Sequence, residues 1–329
     1  MQIAAFLLKR ATQFVLLALL VAFAAFLLSS AVPGDFFSTH LLDSSIHAQA
    51  VEQLRHKYGL DQPVYIQYMH WLKNLVRLDL GYSLFYQRPV VPVVADALAK
   101  TLWMGIPALI LGLCGGILFG TLHRIEAQRP WGRILDVLST VALSLPSLLL
   151  GLVALLFAAH THWFPLGGMD SLGTPESGLW QWVINRIHHL ILPVACLTIP
   201  VFAYVERIQY ASTEGGPHEL YLRSAKARGL SSRRIFFQYL LRPGLNPVLS
   251  VSGPMIGGIL SGSLVLEVLF SWPGLGQITY DSLFNSDLFL LAGCILGSSF
   301  VLVFGNLLAD LAMMLFDPRT RALVRKGFR

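Results

Sequence analysis

Tyr221-Leu222-Arg223-Ser224-Ala225-Lys226-Ala227-Arg228-Gly229-Leu230-Ser231, running on through Arg233 and Arg234 to Arg242 and Pro243, is a basic segment with a single internal glycine, caught between two long apolar stretches. A cation at the centre of a membrane helix costs roughly 3 kcal/mol on insertion scales. Five such residues within twelve positions therefore stay in water, while the flanking stretches have the length and composition to enter lipid. The small residues Ala225 and Ala227 among the cations fit a short helix that lies close against another protein. Gly229 permits a left-handed turn at its end. Leu230 to Leu241 then reads as a second short helix leading back into the membrane.

Composition agrees with that reading. Of 329 residues 55% are apolar and only 13% charged, against about 25% charged in soluble domains, and the mean hydropathy is +0.62. Apolar spans fall at about 11–32, 101–122, 134–159, 188–206, 247–270 and 289–316, each long enough for a hydrocarbon core of about 30 Å. An all-α polytopic membrane protein with six transmembrane helices follows, and an even number of spans puts both termini on one side.

Lys and Arg choose the side. Seventeen of the 24 lie before the first span, between the second and third, between the fourth and fifth, or after the sixth. The other seven, Arg55, Lys57, Lys73, Arg77, Arg88, Lys100 and Arg186, face the opposite way. This is a positive-inside pattern, so both termini are expected in the cytoplasm, and the net charge of +6 reports topology. A nucleic-acid partner is excluded, because that reading needs a basic face on a soluble domain. The first span resembles a secretory signal in its Lys9-Arg10 start, but its apolar core of about 18 residues exceeds the usual 7–15 and reads as a retained helix.

The chain divides into 1–32, the N-terminus and first span; 33–100, an extracytoplasmic helical segment; 101–316, a five-span core whose cytoplasmic loop is 207–246; and 317–329, a cytoplasmic tail. In 33–100, Ser44 or Ser45 caps a helix with Ala48, Val51, Leu54 and Tyr58 on one face and Gly59 at its end. Pro63 then opens a second helix with an apolar face of Val64, Tyr68, Trp71, Leu72 and Leu75. Both helices either pack on the spans or cover the mouth of a pathway.

Small residues recur at helical spacing: Gly112, Gly116 and Gly120; Gly253 with Gly257; Gly258 with Gly262; Gly293 with Gly297. Such stripes let helices approach closely, and Pro107, Pro146, Pro193, Pro200 and Pro254 add expected kinks. Cys114, Cys196 and Cys294 lie inside spans without metal-ligand spacing and read as small buried hydrophobes. Glu267 and Asp310 are the acids to weigh for a substrate or gating role. His160, His162, His188 and His189 read as interfacial residues, since no carboxylate or thiol completes a metal site. No phosphate loop, HExxH or GxSxG appears, so no catalysis of its own and no bound cofactor or metal are expected. A gradient-driven secondary transporter is the alternative; it calls for paired acids or histidines at mid-membrane and internal repeats, and neither is evident. An intramembrane hydrolase would need a nucleophile and base inside the spans.

With these residues in view, the basic segment resembles the EAA loop of ABC importer permeases of the dipeptide, oligopeptide and nickel type. Similar elements run along the chain: Gly59-Leu60-Asp61-Gln62-Pro63 with Tyr65, Tyr68 and Trp71; Asp79-Leu80-Gly81-Tyr82-Ser83; Ser144-Leu145-Pro146; His189-Leu190-Ile191-Leu192-Pro193; Glu267 through Gly276; and Asp317-Pro318-Arg319. The resemblance implies a type I ABC importer permease fold in a bacterial inner membrane. Its implied partners are a second permease subunit, two ABC ATPases that use ATP and magnesium, an extracytoplasmic solute-binding protein, and lipid. It also implies that Arg223, Ala225, Lys226, Ala227, Arg228 and Gly229 contact the ATPase, and that Glu267, Trp272, Pro273, Gly274 and Gly276 lie at the outer mouth, facing the binding protein. Three departures stand out. Leu78 occupies the place where a glycine is expected before Asp79-Leu80-Gly81. Glu214-Gly215-Gly216-Pro217 interrupts what is usually a continuous helix, and Arg242 to Pro247 is rich in helix breakers.

Overall fold

A computed structural model describes residues 12–13, 15–24, 26–27, 53, 56, 59, 61–127, 129–171 and 178–316. Nearly all of the helix expected before Gly59, about a third of the first expected span and the tail lie outside the described residues. In chain order the elements are helix α1 (Val15–Ala24), α2 (Val64–Leu75), strands β1 (Tyr82–Ser83) and β2 (Arg88–Pro89), and helices α3 (Val90–Glu126), α4 (Pro130–Ser144), α5 (Ser147–Thr161), α6 (Gly178–Ser212) and α7 (Gly216–Ala227). The remaining helices are α8 (Ser232–Leu269), α9 (Leu275–Phe284) and α10 (Leu288–Phe316).

Among the described residues four helices, α3, α6, α8 and α10, are long and apolar enough to cross a membrane, and α4 with α5 makes a fifth candidate bent by 104°. The single span expected over 134–159 is therefore two helices. The break follows from Pro146, which pushes the residue before it out of the helical region: Leu145 sits at φ −88°, ψ 120°. Pro107, Pro193, Pro200, Pro247 and Pro254, by contrast, lie within continuous helices. The breakers from Arg242 to Pro247 do not end α8 either. Immediately upstream, within the same helix, Ile235–Leu241 is wound as a π-helix, a wider register that leaves the helix unbroken.

Contacts divide the chain into two compact units. The first takes residues 102–272 and 304–316 of the described chain. In it α8 packs on α5 and α6, and α6 packs on α4 and α5, around a core that includes Met104, Val201, Val205, Ile259, Leu266 and Trp272. The glycine stripe of α3 faces α6. A Cβ at Gly112 would meet Val201 at 2.5 Å, one at Gly116 would meet Val205 at 2.5 Å, and one at Gly120 would meet the Glu206 carbonyl at 2.6 Å. The stripe is thus the surface that lets two spans touch through their backbones. Exposed Trp131 lies near one end of this unit's helices, and exposed Trp163, Trp180 and Trp182 near the other, the placement of interfacial aromatic belts.

The second unit takes the described residues of 7–101 with 273–303. Here α2 buries Tyr68 and Trp71 against Phe23, Phe26 and Ala292, and the Tyr68 hydroxyl donates to the Leu19 carbonyl at 3.0 Å. The apolar face of α2 is the one the sequence predicts. The hairpin β1–β2, antiparallel with Tyr82 opposite Pro89, was not expected in an all-α chain. Asp287 fixes it: one carboxylate oxygen accepts from Ser83 Oγ at 2.7 Å and from the Phe85 amide at 3.1 Å, and the other accepts from the Leu290 amide at the start of α10. Leu78 has φ +59°, and the Asp79 amide donates back to the Asn74 carbonyl at 3.1 Å. The residue in the expected glycine's place thus adopts the left-handed turn a glycine would.

Candidate functional site

The basic segment is a helix closed by a turn and laid on a small apolar seam. Gly215, at φ +115°, breaks the chain after α6, and Pro217 lies in the first turn of α7. The interruption expected at Glu214–Pro217 is therefore present. At the other end Gly229 has φ +71°, its amide donates to the Lys226 carbonyl at 2.9 Å, and the Leu230 amide donates to the Ala225 carbonyl at 3.3 Å. These are the two bonds of a Schellman closure, with the left-handed residue where glycine costs least. Underneath, Ala225, Ile235 and Leu240 are buried with Leu222, Leu230 and Tyr239 packed on them.

Of the six residues picked from sequence, Arg223, Lys226, Ala227, Arg228 and Gly229 are exposed on one surface. Ala225 is not. It is fully buried against Ile235 and Leu240, so its small side chain admits the return segment of its own chain and does not face another protein. Helical spacing alone could not separate those two uses of an alanine.

Polar contacts hold this surface. The Arg228 guanidinium donates to the Tyr239 hydroxyl at 3.0 Å, and Tyr221 stacks on Tyr239 with ring centroids 4.5 Å apart. His218 Nε2 of α7 donates to the Tyr239 carbonyl of the π-helix at 2.9 Å. Arg124, near the end of α3, donates to the Thr213 carbonyl at 3.0 Å and to Glu219 of α7 at 3.0 Å. That hydrogen bond and the guanidinium's charge hold the Glu219 carboxyl below the usual carboxylate range.

Behind the surface lies a buried polar network that sequence reasoning missed. Glu206, fully buried in α6, accepts from Ser139 Oγ of α4 at 2.6 Å, and its other oxygen is 2.5 Å from His123 Nδ1 of α3. The His123 ring stacks on Tyr210 at 4.2 Å. One turn along, fully buried Gln209 donates its amide to Thr121 Oγ1 of α3 at 3.0 Å and to the Leu240 and Leu241 carbonyls of the π-helix at 3.4 and 3.1 Å. The available signal was Glu206 and Gln209 three residues apart on one helical face. Arg207 between them reads as a boundary marker and hides it.

Two adjoining depressions run along this bundle. One, of about 550 Å³, sits at the α4–α5 break and is lined by residues including Leu145, Ser147, Pro200, Tyr204, Pro254 and Gly258. The other, of about 580 Å³, shares Leu143 and Tyr204 with it and reaches Arg207. Arg207 pairs with Asp136 at 3.1 Å. Pro146 in the α4–α5 break, Pro200 of α6 and Pro254 of α8 flank or line the first depression, and a Cβ at Gly258 would meet only open space.

The residues expected at the outer mouth are packed inward. Glu267 and Trp272 are fully buried, joined through the Trp272 amide and the Glu267 carbonyl at 2.8 Å, so neither offers a side chain to an outside partner. Pro273 is half-buried, while Gly274 and Gly276 are buried around the start of α9, whose first amide, that of Leu275, donates to Thr101 Oγ1 at 2.7 Å. Asp310 is half-buried in α10. His188 bonds to the Trp163 carbonyl at 2.8 Å and His189 to the Asn185 carbonyl at 2.9 Å, and no cluster able to hold a metal occurs among the described residues. Cys196 and Cys294 are buried as expected, whereas Cys114 lies on an exposed face of α3.

Comparison with known proteins bears on this arrangement. Residues 102–322 match the family described as binding-protein-dependent transport system inner membrane component, and residues 3–105 match the N-terminal family that accompanies it. The oligopeptide transport system permease protein AppB of Bacillus subtilis is 33% identical over 321 residues, covering 96% of this chain and 99% of its own. The glutathione transport system permease protein GsiC of Escherichia coli is 30% identical over 317 residues, covering 96% and 98%. Among solved structures, the MetNI methionine ABC transporter in an inward-facing conformation aligns with TM-score 0.51 and 16% identity over 69% of this chain and 97% of the matched one, a likeness of fold.

Proposed function

Because the chain belongs to the family of binding-protein-dependent transport system inner-membrane components, multi-pass proteins that act in transport and not as ATPases, we propose that it is one of two permease subunits of an ATP-driven importer for short peptides or a related small solute. Its relatives are named for oligopeptide and glutathione transport, which supports that solute class.

The observation that carries the coupling part of this reading is the exposed set Arg223, Lys226, Ala227, Arg228 and Gly229, held by a Schellman turn on a seam of its own chain. A preordered surface of this kind docks at low entropic cost, and its cations suit an acidic groove on a cytoplasmic ATPase. ATP and magnesium are then consumed by the two ATPase partners, and an extracytoplasmic binding protein delivers the solute. Six spans with both termini in the cytoplasm fit the distribution of Lys and Arg. The paired depressions along α4, α6 and α8 form this subunit's wall of the pathway, with the second permease supplying the other wall. Glu267 and Trp272 act at the outer end through packing.

The test is uptake into proteoliposomes that hold this chain with its permease partner, ATPases and binding protein. ATP-dependent accumulation of labelled di- to pentapeptides or glutathione is expected; ATP hydrolysis with none of these solutes entering contradicts the solute class. The buried pair of Glu206 and His123 is the kind of feature a gradient-driven transporter would use, but both residues lie within two turns of their helices' ends, beside the basic segment, and serve here to tie helices together.

A further inference from the structure

Gln209 is fully buried in α6, and its side-chain amide bridges two parts of the fold with different tasks. Thr121 of α3 accepts on one side, and the carbonyls of Leu240 and Leu241 accept on the other. Those carbonyls belong to the π-helix that returns the chain from the exposed basic turn into α8. Gly244, one turn further on, makes the approach possible: a Cβ there would collide with the Gln209 amide. Among the described residues the amide's own oxygen, Gln209 Oε1, is buried without a hydrogen-bond partner. A buried orphan acceptor is costly, and native proteins retain few of them.

We propose that Gln209 and Gly244 are the positioning residues of the joint through which movement of the basic turn reaches the spans, an inference that rests on the ATP-coupled reading above. The geometry has the three properties a joint needs. It links the moving segment to two spans at one point. It grips the π-helix through carbonyls, so the segment can change register without a side chain being re-sorted. It also leaves Gln209 Oε1 without a donor in the present arrangement, so that arrangement is held less tightly than a fully satisfied one. Glu206, with His123 and Ser139, anchors the same turn of α6 to α3 and α4, so a displacement at Gln209 is delivered to the broken span.

Full complexes carrying Gln209→Met, Gly244→Ala, or Gln209→Ala with Gly244→Ala are purified and reconstituted, and solute taken up per ATP hydrolysed is measured beside the ATPase content. Methionine keeps the volume and removes the donors. All variants are expected to retain their ATPases, and Gln209→Met to lose roughly tenfold in uptake per ATP, the factor a buried hydrogen bond carries. The double variant is expected to relieve the collision and recover thermal stability lost in Gly244→Ala while staying uncoupled. An unchanged ratio in Gln209→Met overturns the proposal, and so does loss of ATPase from that variant, which would make the pair a purely structural contact. Absence of ATPase from the native complex would instead overturn the coupled reading beneath it.

Discussion

Nδ1 of His123 lies 2.5 Å from Oε1 of Glu206, and neither side chain is more than 5% exposed. The two helices that carry them are brought this close by Gly116 and Gly120, so an apolar stripe and a polar pair serve one contact. Removing one member of a buried pair strands the other. Glu206→Ala is expected to destabilise the purified chain by about 3 kcal/mol, read as thermal unfolding in detergent. His123→Ala combined with it should cost much less than the sum of the single changes; additive losses would show that the pair is not coupled.

The glycine stripe is tested by bulk. Gly116→Val puts a branched side chain where the nearest atoms of Val205 leave no room. Overpacking of this kind costs about 1–3 kcal/mol. The expected outcome is a lower melting temperature and a lower folded yield, with Gly258→Val, which points into open space, close to the native protein in both.

At position 78 the sequence is less stable than it could be. Leu78 stands at φ +59°, a conformation that costs a residue with a Cβ about 1–2 kcal/mol. Leu78→Gly is expected to raise stability by about 1 kcal/mol, the turn being retained and the strain removed. A loss of stability would mean that the exposed leucine makes a contact outweighing its strain.

The Arg124–Glu219 contact responds to pH. The folded carboxyl titrates below its unfolded value, so its contribution is fully present above the unfolded pKa and fades as pH falls through the folded one. Protection of the α7 amides, corrected for the intrinsic pH dependence of exchange, should therefore fall on acidification below the ordinary carboxylate range. Glu219→Gln should flatten that response. The contact is exposed, so the effect is local and weakens with added salt.

Much of this was legible in the sequence because the membrane imposes simple rules. Spans are long, cations are kept out of lipid, and small residues mark close approach, so α3, α6, α8 and α10, the basic segment and the Gly229 turn could all be placed from composition and spacing. The break at Leu145-Pro146 was readable as a kink but not as a 104° bend, since proline alone does not say whether a helix bends or stops. The proline-rich stretch Arg242 to Pro247 looked like an interruption, and it is not one: it continues α8 directly from the π-helical turns of Ile235–Leu241. Ala225 was read as facing a partner when it faces its own chain. The network around Glu206 and Gln209 was missed because its members are scattered over α3, α4, α6 and α8, and only tertiary packing brings them together.

The central claim is that the exposed basic turn is where an ATPase binds. Membranes carrying the tagged chain are solubilised with its candidate ABC ATPase, and copurification is compared among the native chain, Gly229→Asp and Arg228→Glu. Aspartate at Gly229 must adopt φ +71°, and the Arg228 change reverses charge on the exposed face and removes the bond to Tyr239. The account predicts ATPase retained by the native chain and lost from both variants while the permease itself stays folded and in the membrane. ATPase held equally by all three would contradict it.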